Sequence, residues 1–438
     1  MSFHKKAAVC FLLLFALAVR EAQAQWLRIY HLGIGQGDCT LIIGNDKKVS
    51  DNTDLTFSVM IDSGNTMSEN KLAHIWGFVK DTIDKYCSGR LDFVVTSHLH
   101  ADHVGNFPKL IEWMHNNKKV EPVVHFVDRM AFDDVYGEPE DECWDAPRSR
   151  IVKDYLNAIV KYFPARRLRV SSGSYLFPEE LKNIRIQCLS ANGVANGESF
   201  VTGSKPKNEN DLSFSFMVTF NGFHYFTGGD IGGGSPYLDG ETPIADYVVD
   251  NYPDPFHACF LKVSHHGSYH STNERFLYIF EPYAAVVPSA LKSFRGTQLP
   301  TYGTLEALTD SGALLYYTYT VSNDKYYTGT PVDYRDVDIY IPAPPGYEHD
   351  IPIIISQQLR NKETMELKGV PILSTITCDK QHEEPTMEEE AARRLAREAA
   401  PKVVPVYKTI IAFPKTPAHK AQQPSTQHKK ATTKGLKK

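Results

Sequence analysis

Apolar and polar positions change over in short blocks through the first hundred residues. WLRIYHL, CTLIIG and FSVMID are runs rich in aliphatic and aromatic side chains, followed by Gly33, Gly44 and Gly64, and they predict strands ending in turns. In KLAHIWGFVKDTIDKY the apolar residues Leu72, Ile75, Trp76, Val79, Ile83 and Tyr86 recur at three- and four-residue steps, which predicts an amphipathic helix. LDFVVT predicts another buried strand, with a helix from around Phe107 to Asn116 after it. Between them lies TSHLHADHVGNF, which places His98, His100, Asp102 and His103 at the carboxyl end of a strand, where α/β sheets gather ligands.

The spacing of these four residues has a geometric meaning. In extended backbone, side chains two apart point the same way, so His98 and His100 can face one ion. Asp102 and His103 lie where the chain turns into helix and can aim at a second point a few ångströms away. Uncharged imidazole is the most frequent ligand of borderline metal ions, so one loop could serve two metals.

Composition sets the surroundings. A 438-residue chain with 42% hydrophobic and 23% charged residues can bury a large core. Residues 1–24 read as a signal peptide, with Lys5 and Lys6 before the apolar run AAVCFLLLFALAV and Ala22-Gln23-Ala24 as the cleavage site. No later stretch has the length and apolarity of a membrane-spanning helix. A mature chain from Gln25 is therefore expected to be secreted or periplasmic. Its six cysteines form no CxxC and favour structural thiols or disulfides, whose pairing spacing does not reveal. Beyond residue 345 the Pro-rich PAPPGYEHDIPI leaves the first domain, and IPIIIS supplies an edge strand or extra packing. Thr386 and Glu389 form a capping box, which predicts a short helix in an extension over 346–400. Residues 401–438 form a basic tail without a periodic apolar face, expected to be disordered.

HxHxDH after a strand resembles the metal-binding motif of the metallo-β-lactamase fold. The ordered set HLGIGQGDCTLI, MIDSG, SHLHADHVGN, NDLSFSF, YFTGGD and VSHHGSYHST, over residues 26–345, is most similar to the soluble hydrolase domain of ComEC-type competence proteins. The resemblance implies a four-layer αββα sandwich over 25–345 with two divalent ions, zinc or manganese, at one edge. His98 and His100 would hold the first ion and Asp102 and His103 the second. Asp230 would bridge them, and one histidine of the pair His265-His266, with His265 slightly favoured, would complete the second site. Asp62 would accept a hydrogen bond from a ligating histidine and fix its tautomer, so that catalytic roles fall to Asp102 and Asp62. Gln36 and Asp38 would lie near the mouth of the site, with Ser268 and Ser271 placed to donate to a phosphate.

One departure bears on the first ion. Relatives with two full sites carry a further histidine before the bridging aspartate, and NENDLSFSF has none. His224 sits inside a strand pattern and His125 comes too early; Asn210 or Asp211 could supply oxygen instead, which would favour manganese or leave the first site weak. The implied reaction is hydrolysis, since a divalent ion lowers the pKa of bound water from 15.7 to about 7 and so supplies hydroxide at neutral pH. The resemblance favours a phosphodiester, DNA or a nucleotide. Alternatives within the fold are hydrolysis of acyl esters or lactones, or a non-catalytic metal-binding protein. Charge limits the substrate's size: 47 basic against 52 acidic residues gives −5, and the nine lysines and no acids of the tail leave −14 elsewhere. Such a body does not offer the many phosphate contacts on which tight DNA binding rests.

Overall fold

The computed structural model describes residues 25–116, 125–129, 149–164, 166–177, 180–201, 209–252, 256–294, 296–321, 331–343 and 352–378. The signal peptide read at 1–24, Cys143, the capping box at Thr386 and Glu389 and the lysine-rich tail lie outside these residues.

Three strands open the chain as an antiparallel meander: β1 (Gln25–His31), β2 (Thr40–Lys47) and β3 (Asp54–Ile61). After helix α1 (Glu69–Tyr86), pairing becomes parallel through β4 (Phe93–Val95), β5 (His125–Val127) and β6 (Arg167–Leu168). Helix α1 buries Leu72, Ile75, Trp76, Val79 and Ile83, the face its periodicity predicts. Beyond β4 come the one-turn α2 (Ala101–Val104) and then α3 (Phe107–Asn116), with α4 (Arg150–Tyr162) following β5.

The second sheet starts with β7 (Ile184–Ala191) and the short β8 (Val194–Ala195) and β9 (Glu198–Ser199). It continues through β10 (Ser215–Phe220), β11 (Phe223–Thr227), β12 (Phe260–Lys262) and β13 (Ala284–Val287), followed by a small β14 (Ser293–Phe294) and β15 (Thr297–Gln298) ribbon and by β16 (Leu314–Tyr317). Its helices are α5 (Glu241–Asn251), α6 (Glu274–Phe280) and α7 (Tyr302–Asp310). The chain then returns to the first sheet with β17 (Tyr319–Val321) and β18 (Pro331–Ala343), which pairs β1 from Gln25↔Ala343 to His31↔Val337.

Three hydrophobic clusters define the layering. Leu27, Ile29, Ile42 and Val59 of the first sheet interlock with Ile186, Phe216, Val218 and Phe260 of the second. The opposite face of the first sheet, with Leu41, Ile43 and Met60, packs on α1, α3 and α4. That of the second, with Met217, Phe226 and Leu261, packs on α5, α6 and α7. The architecture is an αββα sandwich. Each inner strand is covered on both faces, so its residues are buried in near-continuous runs.

Two details differ from the sequence reading. Gly44 does not close a strand; it lies within β2 opposite Phe57, where an added Cβ would come within 2.5 Å of the Phe57 ring, so the missing side chain makes room for that ring. Residues 352–356 of IPIIIS become part of β19 (Pro352–Arg360), one place in from the edge, because β20 (Leu367–Thr377) pairs outside it. A disulfide joins Cys259, just before β12, to Cys378, just after β20, whereas Cys39, Cys87 and Cys188 are buried thiols.

Candidate metal centre

All the ligand-type side chains stand at the carboxyl ends of strands, on loops that the two sheets bring face to face. Asp62 follows β3, His98 to His103 follow β4, Asp230 follows β11, and His265 and His266 follow β12. Small residues permit the loops to approach. Gly37, at φ +109°, lies where a Cβ would be 2.0 Å from the Asp102 carbonyl oxygen, and one on Gly229 would lie 2.9 Å from Ser97. Non-ligand residues of the motifs lock the loops together: Ser63 N donates to His103 O at 2.7 Å, and Asn106 Nδ2 donates to Ser63 O at 2.6 Å.

The donors converge. His103 Nε2 is 3.3 Å from Asp230 Oδ1, and His266 Nε2 is 3.5 Å from Asp230 Oδ2 and 3.4 Å from Asp102 Oδ2. Tetrahedral ligands at about 2.0–2.1 Å from an ion stand roughly 3.3 Å from one another, so these atoms are already at coordination spacing. His103 Nε2, His266 Nε2 and Asp230 Oδ1 are buried with no hydrogen-bond partner among the described residues, an arrangement that a shared cation satisfies. The residues therefore fit a divalent ion held by imidazole and carboxylate.

Tautomers are set from behind. Asp62 Oδ2 accepts from His103 Nδ1 at 2.8 Å, and Asp62 is itself held by Ser97 N and Ser97 Oγ at 2.7 and 2.6 Å. His266 Nδ1 donates to Pro288 O at 3.0 Å. Both rings thereby present Nε2 to the centre. Burial alone would depress the His103 and His266 pKa values, yet the surrounding carboxylates prevail: Asp230 and Asp62 raise His103 well above its usual value, and Asp230, Asp102 and Asp38 push His266 up to about 10. Burial likewise opposes the ionised form of Asp230, which the rings of His266 and His103 nonetheless hold well below the usual carboxylate range. A cation entering the cluster would displace these protons, so its binding tightens as pH rises.

The sequence favoured His265 for this group; the structure places His266 there instead. Ser264–Gly267 makes a tight turn with both histidines in the left-handed region, at φ 52° and 54°, which costs about 1–3 kcal/mol for each. The turn sends the two rings to different places. His266 enters between Asp102 and Asp230, whereas His265 Nε2 lies 3.9 Å from Asp230 Oδ2 and 3.2 Å from Asn210 Nδ2.

At the first proposed ion, His98 Nε2 and His100 Nδ1 face each other at 3.0 Å, with His98 Nε2 3.9 Å from Asp230 Oδ2. His98, His103 and Asp230 form one group of donors within 4.8 Å, and Asp102, His103 and His266 another; His100 and His265 fall in neither. Asn210 stands across from this region beside His265. Asp211 does not enter the donor groups: its Oδ1 accepts from Leu238 N at 2.9 Å and braces a loop. His224 meets Tyr252 edge-on and Phe256 at a tilt, and His125 lies tilted against Phe93.

Other expectations shift in place. Asp38 lies behind the cluster rather than at a mouth, buried and ion-paired with Lys262 Nζ, with His266 Nδ1 3.3 Å from its Oδ1. Gln36 is buried beside it. Ser271 Oγ is engaged with the carbonyls of Ser264 and Ser268, at 3.0 and 2.9 Å, and Ser268 Oγ accepts from His270 N at 3.4 Å, so both serines shape the histidine loop.

Two buried partnerships escaped the sequence reading. Lys262 Nζ also donates to Gly229 O at 2.8 Å, which ties the loops carrying Asp38 and Asp230 to β12. Glu209 Oε1 accepts from Arg129 Nε at 2.6 Å and from Leu99 N at 3.1 Å, holding the residue between His98 and His100. Neither has a local signal, since each pair closes across a long stretch of chain.

Residues 32–155 match the family model described as the metallo-beta-lactamase superfamily. The chain carries a metallo-beta-lactamase superfamily domain. The match takes in Asp38, Asp62 and the HxHxDH residues; Asp230 and His266 lie beyond it and are joined to them by the fold. A comparison with curated proteins returned no match. The superfamily consists in general of hydrolytic metalloenzymes, and the donor groups of this domain are of the kind that binds their divalent ions.

In this domain Asp62→Asn should lower metal affinity about 10- to 100-fold, as removal of a ligand's supporting partner does. Chelator competition checks this; unchanged affinity would mean that His103 is oriented without Asp62.

Proposed function

We propose that the chain is an exported, metal-dependent phosphodiesterase or nuclease. The observation that carries the reading is the arrangement around Asp230, whose Oδ1 faces His103 at 3.3 Å and whose Oδ2 faces His266 at 3.5 Å and His98 at 3.9 Å, beside a second donor group of Asp102, His103 and His266. Two divalent ions, zinc or manganese, held there would acidify a water and neutralise charge on a phosphoryl group undergoing displacement. The chain's own part is positional. Asp62 and Pro288 O hold the ring protons of His103 and His266 on the side away from the reaction, and the buried setting of the cluster limits competing water.

The order of motifs shared with ComEC-type domains supports a phosphodiester over an ester or lactone. The charge of −14 outside the tail supports a short strand or nucleotide over long duplex DNA. The disulfide between Cys259 and Cys378 supports an oxidising, exported location.

Purified chain from Gln25, loaded with zinc or manganese, should cleave DNA or bis-p-nitrophenyl phosphate and lose that activity on chelation. Turnover of lactones or β-lactams with every phosphodiester untouched would overturn the proposal.

A further inference from the structure

A row of aromatic rings leads from the metal cluster to the surface. It starts at His265, whose Nε2 is 3.9 Å from Asp230 Oδ2. The Tyr237 ring meets His265 edge-on at 5.1 Å and His270 at 5.2 Å, and the His270 and Tyr269 centroids are 3.6 Å apart. Exposure rises along the row: the His265 side chain is 12% exposed, Tyr237 and His270 are half-buried, and Tyr269 is 60% exposed. A large aromatic surface thus reaches water three residues beyond His266.

The row is held in place by its own loops. Gly233 N donates to His270 O at 2.7 Å, and His270 Nδ1 donates to Ser235 O at 2.9 Å, which fixes both backbone and ring of His270 to the loop carrying Tyr237. The serine contacts of Ser268 and Ser271 brace the same turn from within. Little ordering of His270 remains to be done when a planar ligand arrives, so little of its stacking free energy is lost to ordering.

We infer that Tyr237, His270 and Tyr269 form a stacking subsite for a nucleobase next to the scissile phosphodiester. The inference rests on the phosphodiesterase reading and deepens it. Base stacking on aromatic rings is indifferent to charge and tolerant of sequence. It gives an acidic body a grip on a nucleic acid that phosphate contacts do not provide, and it acts over one or two nucleotides, the length the row can serve.

The test is equilibrium binding of a fluorescent, cleavage-resistant phosphorothioate oligothymidylate and of the same oligomer with abasic sugars, by anisotropy on the metal-loaded protein. The wild type should bind the base-bearing form about 5- to 150-fold tighter, the equivalent of one stacked base. Tyr269→Ala should abolish most of that preference and Tyr269→Trp should keep it. Equal binding of the two oligomers by the wild type, no binding of either, or a preference unchanged in Tyr269→Ala would each overturn the subsite. Cleavage is scored separately on the unmodified oligomer, so failure of the phosphodiesterase reading appears as absent turnover and failure of the subsite as absent base preference.

Discussion

Asp230→Asn should strip both ions from the protein and reduce hydrolysis by about 10³-fold or more, the equivalent of the several kcal/mol that metal-ion stabilisation contributes to such reactions. The reason is position. Asp230 is the carboxylate that faces His103 through one oxygen and His266 through the other, at 3.3 and 3.5 Å, and it is buried among donors from both sheets. The amide keeps shape and one oxygen but gives up the charge that both donor sets share. Metal counting by mass spectrometry and kcat/KM on a small diester read the result, with circular dichroism to show that the sandwich persists. Retention of two ions per chain with activity within tenfold of wild type would show that Asp230 does not join the two sets.

The second large effect separates the adjacent histidines. His266→Ala should empty the Asp102–His103 group and abolish activity, because His266 Nε2 stands 3.4 Å from Asp102 and 3.5 Å from Asp230. His265→Ala should leave that ion in place, since His265 lies beside Asn210 and 3.9 Å from Asp230. It should act instead on the ring row that begins there. Metal content of the two variants, measured side by side, decides. If His265→Ala loses the Asp102–His103 ion while His266→Ala keeps it, the assignment drawn from the turn is reversed.

What the sequence revealed and what it hid follow from how local each signal is. That Asp62 would accept from a ligating histidine was implied by the family resemblance, but which histidine it would be, His103, was not. The choice between His265 and His266 was not visible either, since it depends on two successive left-handed residues that nothing in SHHGS announces. Asp38 misled because its partners, Lys262 and His266, come from the other sheet. β20 was missed because LKGVPILSTIT contains Gly369 and Pro371, which read against a strand; Pro371 is tolerated in this outermost strand, where one side of the backbone lacks a neighbour.

The donor-type side chains and their supports divide between the two sheets, Asp62 to His103 from one and Asp230 to His266 from the other, and β12 is only three residues long. One end of β12 begins just after Cys259 and its disulfide to the first sheet; the other runs directly into the histidine turn. The molecule resembles a book whose spine is sewn by sulfur and whose fore-edge carries the donors that a metal would clasp. Reduction would free one end of β12 and chelation would free the donors at its other end, while the apolar core between the sheets goes on holding them together.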